Sequence, residues 1–268
     1  MWVCDEMEKR VISGLGLCIV LLIFFAGCTG SNQEDPTIKR IKEAGVLKVG
    51  TCTPFEPMEY VDENGDILGF DIDVAKEIAM HLGVKIEVID YPDLFDNISA
   101  PLENGEVDMV IAAITKTADR SMQVLFSRPY LNAGQIIVVN ASDMDIKSEI
   151  DLFNKTVGVQ KDTTGEEEAL KYTNNASQVM SYLNYELALI DLIAGKIDAI
   201  VIDYPSGVAL IKDKPGLKLV GVPFTNEFYG IAVKKGENAL VAEIDSVIVS
   251  LIATGKMKEF EEKWFLNS

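Results

Sequence analysis

The chain is poor in the residues that most enzymes and metal sites rely on. Its 268 residues include one histidine, four cysteines and two tryptophans. A nucleophilic triad needs a histidine base beside its nucleophile. The one histidine, His81, falls in a helical pattern that suits a surface or packing residue. There is no Cys-x-x-Cys pair and no Cys/His cluster, so neither a zinc site nor any other metal or cofactor is expected. Positive charge is scarce: 24 Lys and Arg stand against 42 Asp and Glu, for a net charge of −18 and a pI near 4.4. That balance excludes nucleic acid as a partner, which requires basic patches. It favours a self-repelling, soluble surface. The longest apolar run, residues 11–25, falls short of the roughly 20 residues that span a membrane comfortably.

The same run reads as a secretory signal. Lys9 and Arg10 precede it, and it ends in Phe25-Ala26-Gly27-Cys28. A basic start, a short apolar run and small residues at the end form the signal pattern. Small-small-Cys also resembles a lipobox, in which cleavage leaves a lipid-modified Cys28. An uncleaved N-terminal anchor is the alternative. Residues 1–28 are therefore expected to leave as a signal peptide, with the rest tethered outside the membrane. Cys4 and Cys18 would go with it, leaving Cys52 as the one free thiol and no disulfide framework. Residues 29–37 (TGSNQEDPT) read as a polar linker.

Hydrophobic content over the whole chain, 48%, is ample for a core beyond the linker. Residues 38–45 read as a short helix, and one plan then appears twice. Residues 47–50 and 156–159 are apolar strands that run into loops. Residues 102–108 (LENGEVD) and 192–198 (LIAGKID) share Leu-x-x-Gly-x-[Val/Ile]-Asp, each followed by an apolar run. Glycine after the last helical turn supplies a left-handed cap. Strand–helix alternation of this kind predicts α/β architecture with largely parallel sheets, and two copies predict two lobes. The clearest helix is 69–83 (GFDIDVAKEIAMHLG), with Asp71 or Asp73 read as its cap. Residues 93–104 carry Leu94, Ile98 and Leu102 four apart and read as another amphipathic helix. The chain crosses to the second lobe near 126–130 and returns near 223–229, so two strands would form a hinge. The boundaries are 38–131 plus 229–268 for the first lobe and 132–228 for the second.

Residues 109–120 (MVIAAITKTADR) are where function concentrates. Residues 109–114 read as an apolar strand, and the loop after it carries Thr115 and Arg120. Ligands of open α/β sheets bind outside the carboxyl ends of strands. Carbonyl and hydroxyl oxygens suit an ammonium, and a fork of N–H donors suits a carboxylate. A free α-amino acid carries both groups. Asp203 ends the equivalent strand of the second copy.

These stretches, with FSRPYLNAGQIIVV, NKTVGVQKDTTGEE, LIAGKIDAIVID, YGIAVKKG and the terminal KMKEFEEKWF, resemble the polar amino-acid substrate-binding proteins of ABC importers from residue 47 to 265. The resemblance implies a two-lobed type II periplasmic-binding-protein fold. Each lobe would be a mainly parallel sheet flanked by helices, joined by a two-strand hinge and closing on one free amino acid. Arg120 matches the arginine that forks onto the ligand carboxylate. Ala112 and Ala113 match positions whose backbone faces the ligand, and Thr115 the hydroxyl there. Thr163 and Thr164 match the loop that completes the carboxylate cradle. Asp203 matches the acid that holds the ammonium, and Phe55 and Phe95 two aromatics that sandwich the side chain. An ABC permease is the implied protein partner. Members that take basic amino acids often carry an acid where this chain has Cys52; Glu56, Glu59 and Asp90 are the candidates to replace it, and an uncharged polar side chain such as glutamine's is favoured, with an aliphatic or acidic ligand as the alternative. Cyclohexadienyl dehydratases share this pattern but need a general acid that Cys52 does not supply. The chain is therefore read as a non-enzymatic transport receptor. A sensory module for a separate receptor is a further alternative.

Overall fold

The computed structural model describes residues 35–266. The signal and lipobox reading, Cys28 included, and most of the linker lie outside them. The first helix, Pro36–Ala44, begins inside the stretch read as linker, because Asp35 accepts the Thr37 and Ile38 N–H groups and Pro36 sits where a helix tolerates it.

Two five-stranded sheets follow one plan. The first is ordered Lys85–Asp90, Val46–Thr51, Met109–Val110, Ala232–Val233 and Leu125–Phe126. The second is ordered Val179–Tyr182, Val157–Gln160, Ala199–Asp203, Gln135–Asn140 and Leu217–Val220. In each, three parallel strands are followed by an antiparallel fourth. A two-stranded antiparallel ribbon, Leu131–Asn132 against Phe228–Tyr229, lies where the chain leaves the first sheet and returns to it.

The repeated Leu-x-x-Gly-x-[Val/Ile]-Asp phrase now has a cause. Gly105 and Gly195 take φ of 71° and 69°. The aspartate that follows bonds the neighbouring strand: Asp108 accepts the Lys48 N–H at 2.8 Å, and Asp198 accepts the Thr156 N–H at 2.7 Å. Each phrase ends a helix and pins the register of two parallel strands.

The helix Phe70–Leu82 turns Phe70, Val74, Ala75, Ile78, Ala79 and Leu82 inward, where it packs on the long helix Asn238–Thr254. Each of the larger side chains among them contributes about 1.5–3 kcal/mol of burial. Neither Asp71 nor Asp73 caps its start, contrary to the sequence reading. The Phe70 and Asp71 N–H groups donate instead to the carbonyls of Pro57 and Met58. Gly69 is required for this approach, with φ 142° and a would-be Cβ 2.0 Å from the Met58 oxygen. The helix expected over 93–104 is also broken. It is a single 3₁₀ turn, Leu94–Asp96, and a short helix, Ala100–Glu103. Pro101 has no N–H to continue the ladder, and Asn97 is extended (φ −157°, ψ 85°). Leu94, Ile98 and Leu102 are buried nonetheless.

Candidate functional site

The apolar run expected to be a strand to Ile114 is paired only at Met109–Val110. Ala113 has a left-handed backbone, φ 48°, which an L-residue adopts only when its surroundings impose it. Asp71 imposes it. Its carboxyl is fully buried, accepting the Ala113 N–H at 2.7 Å and the Tyr130 hydroxyl at 2.9 Å. Asp71, read from sequence as a helix cap, thus shapes the loop that carries Thr115 and Arg120. Burial pushes its carboxyl up to about 7 against those two hydrogen bonds. Buried Glu59 beside it is raised well above the usual carboxylate range, by burial and by Asp71. Replacing Asp71 with alanine leaves an N–H and a hydroxyl without partners, at about 1–3 kcal/mol each. We expect Asp71→Ala to lose about 3 kcal/mol or more in urea denaturation. Wild-type stability in that variant would show that Ala113 holds its conformation unaided.

Ala112 and Ala113 are both buried rather than exposed at the strand end. Arg120 lies in the short helix Ala118–Gln123, capped by Thr117. Its guanidinium donates to the Thr115 carbonyl at 3.1 Å and, across to the second lobe, to the Asp162 carbonyl at 3.3 Å. It sits 5.5 Å from the centre of the Phe95 ring. Among the described residues no carboxylate pairs with it. Burial therefore lowers its pKa, while Glu167, Asp203 and Glu227 attract it from a distance.

In the second lobe Asp203 ends its strand, opposite Gln135 in the antiparallel neighbour. Gln135 Nε2 donates to Asp203 Oδ1 at 2.6 Å and to Thr164 Oγ1 at 3.2 Å. Thr164 gives its proton to Glu227 Oε2 at 2.6 Å. Thr115 of the first lobe, 3.4 Å from Thr164 Oγ1, must then be the donor of that pair. Burial, with Glu227 alongside, pushes the Asp203 carboxyl up to about 7, while the nearby Tyr229 hydroxyl and Gln135 amide pull it down. Asp203 precedes the helix Tyr204–Ile211 but makes no capping bond to it. Thr163 does cap, at the start of the helix Thr164–Tyr172, and its hydroxyl donates to the Gln160 carbonyl. Anions favour such a helix start, and the Arg120 guanidinium bonds the residue just before it.

Phe55 is buried, and its ring lies 5.9 Å from that of Tyr185 in the second lobe. Cys52 is buried among Leu94, Ile98, Leu102 and Val110, with its thiol 3.7 Å from the Pro92 carbonyl. Burial and the charges of Glu59 and Asp90 push that thiol up to about 12, so it is neutral. Of the acids offered in place of a carboxylate at position 52, Glu59 is buried beside Asp71, and Asp90 accepts both the N–H and the hydroxyl of Thr53.

The structure thus brings Arg120, Thr115, Thr163, Thr164 and Asp203 to one seam between the lobes. Sequence reading missed Gln135, Glu227, Tyr185 and Tyr229. The available signal was polar residues in apolar strands, such as the glutamine that opens QIIVV. An arginine on one lobe and a buried acid on the other thus face one seam, and a two-stranded ribbon joins the lobes beside it.

Comparison with known proteins gives the family. The chain belongs to the bacterial extracellular solute-binding proteins, family 3, whose family model matches residues 47–267. It is 30% identical over 237 residues to the L-cystine-binding protein TcyJ of Escherichia coli, covering 88% of each chain. An ancestral arginine-binding protein bound to glutamine shares 42% identity and a TM-score of 0.74, over 82% of this chain and 98% of that one. The ancestral amino acid-binding protein AncCDT-1, described as a precursor of cyclohexadienyl dehydratase, shares 35% identity and a TM-score of 0.76, over 85% and 99%. The architecture is accordingly the two-lobed α/β fold of periplasmic amino-acid-binding proteins.

Proposed function

We propose that this chain binds one free polar α-amino acid between its lobes and delivers it to an ABC permease, tethered outside the membrane through a lipid on Cys28. The observation that carries the reading is the placement of a carboxylate-free guanidinium, Arg120, on one side of the seam and a buried acid, Asp203, on the other. A buried charge is costly until it is paired. The α-carboxylate would take the bidentate face of Arg120, and the α-ammonium would take Asp203. Each end engages a different lobe, so the ligand binds the closed form better than the open one, and that difference drives closure. Shifting the population from mostly open to mostly closed takes roughly 5 kcal/mol of differential affinity.

The likeness to a dehydratase precursor favours a second reading, in which a raised carboxyl such as Asp203 acts as a general acid. In the binding reading the ammonium consumes that acid, so the ligand is returned unchanged. A thermal-shift panel of the twenty amino acids, run on protein lacking residues 1–28, separates the two. We expect a small set of polar amino acids to raise the melting point by mass action, each recovered intact. No response to any amino acid, or conversion of the one bound, would overturn the reading.

A further inference from the structure

Glu59 is fully buried, and neither of its carboxyl oxygens meets a donor among the described residues. A carboxylate left so would be costly. Its surroundings show how the fold bears it. The Met58 carbonyl just before it accepts the Asp71 N–H at 3.0 Å, and the Glu59 and Asp71 carboxyls lie side by side. Asp71 is equally buried but well supplied with donors. One of its oxygens accepts the Ala113 N–H, and the two lie 2.9 and 3.0 Å from the Tyr130 hydroxyl. Adjoining carboxyls resist joint ionisation when no cation stands near. The titratable groups that face this pair are all acids: Asp90, Tyr130, Tyr229 and the Cys52 thiol. One carboxyl of the pair therefore holds a proton. Hydrogen-bond donors favour the ionised form, so Asp71 is the carboxylate and Glu59 the acid that donates to it. Glu59 is also built into the turn that carries Phe55. The Phe55 N–H donates to the Glu59 carbonyl at 2.7 Å, and the Glu59 N–H donates to the Phe55 carbonyl at 3.2 Å. One proton thus ties the Phe55 turn to the loop bent at Ala113 and, through Tyr130, to the segment that crosses between the lobes.

We propose that Glu59 is a positioning residue that works in its acid form: it donates to Asp71, and that bond holds the Phe55 turn and the Ala113 loop in the arrangement that receives the amino acid. This rests on the amino-acid-binding reading above. Glu59 acts through Phe55 and Ala113, not on the ligand itself. A glutamine, whose Nε2 donates, can take the place of the acid. An apolar side chain of similar length cannot, and it leaves the two ligand-bearing segments joined only through the main chain.

Two measurements test this. Infrared difference spectra compare wild type with Glu59→Gln at pH 8. Calorimetric titration compares wild type, Glu59→Gln and Glu59→Met, using each of the twenty amino acids that raises the wild-type melting point. Wild type is expected to show the carbonyl band of a protonated carboxyl at pH 8, and Glu59→Gln to lack it. Glu59→Gln should bind as wild type does, whereas Glu59→Met should bind about tenfold or more weakly, the loss of one hydrogen bond to a charged group. A wild-type spectrum without that band, or a band that survives unchanged in Glu59→Gln, would overturn the inference. So would a folded Glu59→Met protein of wild-type affinity, which would make Glu59 a packing residue only, or a Glu59→Gln protein as weak as the methionine variant. If Glu59→Met does not fold, the band and the affinity of Glu59→Gln decide alone. A wild type that binds no amino acid would instead overturn the underlying reading, and the band would still report whether Glu59 holds the proton.

Discussion

Arg120→Ala is expected to abolish binding of every amino acid while leaving the protein folded. The guanidinium bonds two backbone carbonyls and lies over Phe95, but it has no carboxylate to neutralise it, and burial already disfavours its charge. Its removal costs the ligand-free fold little, because a desolvated charge goes with it. For the bound state it removes the one bidentate, charge-assisted contact to the ligand carboxylate. Truncating one partner of a buried charge pair costs about 2–5 kcal/mol, which is roughly 30-fold to several thousand-fold in affinity. Circular dichroism should report wild-type structure, and the thermal-shift panel should be flat. A folded Arg120→Ala protein that binds normally would refute the assignment.

Asp203→Asn should show the opposite trade: weaker binding from a more stable ligand-free protein. The sign follows from the proton balance. The unfolded aspartate titrates near 3.9, and the buried one is pushed up to about 7. Between those values the folded state holds a proton that the unfolded state has lost. Stability therefore falls as pH rises through this window, and the full cost is present above it. Asp71 and Glu59 act in the same direction. Asp203→Asn removes one contributor, so it should melt above wild type at pH 8 and show a shallower decline from pH 4 to 8. A bound ammonium favours the ionised carboxyl, so wild-type affinity should tighten as pH rises through about 7, with proton release visible as a buffer-dependent enthalpy. The asparagine variant should lose both that dependence and, like Arg120→Ala, much of its affinity. Equal pH profiles for the two proteins would show that Asp203 is not the titrating group.

Why these two residues were legible in the sequence, and their supports were not, is a matter of range. Each lies downstream of a recognisable Gly-x-[Val/Ile]-Asp phrase that opens an apolar run, Asp203 as the last residue of its strand and Arg120 in the loop and short helix that follow, so local pattern places them at the carboxyl side of the sheets. Gln135 reaches Asp203 across 68 residues of chain and Thr225 across 90, and no periodicity carries that information. Asp71 misled for a related reason. An acid in a first helical turn usually serves the helix, but here the preceding loop already satisfies those N–H groups, which frees Asp71 to bind Ala113. The break at residues 97–101 was written in Pro101, and the spacing of Leu94, Ile98 and Leu102 survived it because burial, not helix continuity, selects those residues. Phe55 and Phe95 read as two aromatics about one side chain, and the structure adds a neighbour to each: Tyr185 for Phe55 and Arg120 for Phe95. The Phe55–Tyr185 contact depends on how the lobes come together, whereas the Phe95–Arg120 contact lies within the first lobe.

Lobe closure by a molecule bearing both charges is tested most directly with three analogues of whichever amino acid gives the largest thermal shift: the amino acid itself, its α-amide, and its des-amino acid. Small-angle scattering of the protein with each, at matched concentration, reports compaction. Only the zwitterion is predicted to compact the protein and raise its melting point. Equal compaction by the amide or by the des-amino acid would show that Arg120 and Asp203 do not hold the lobes together through the ligand.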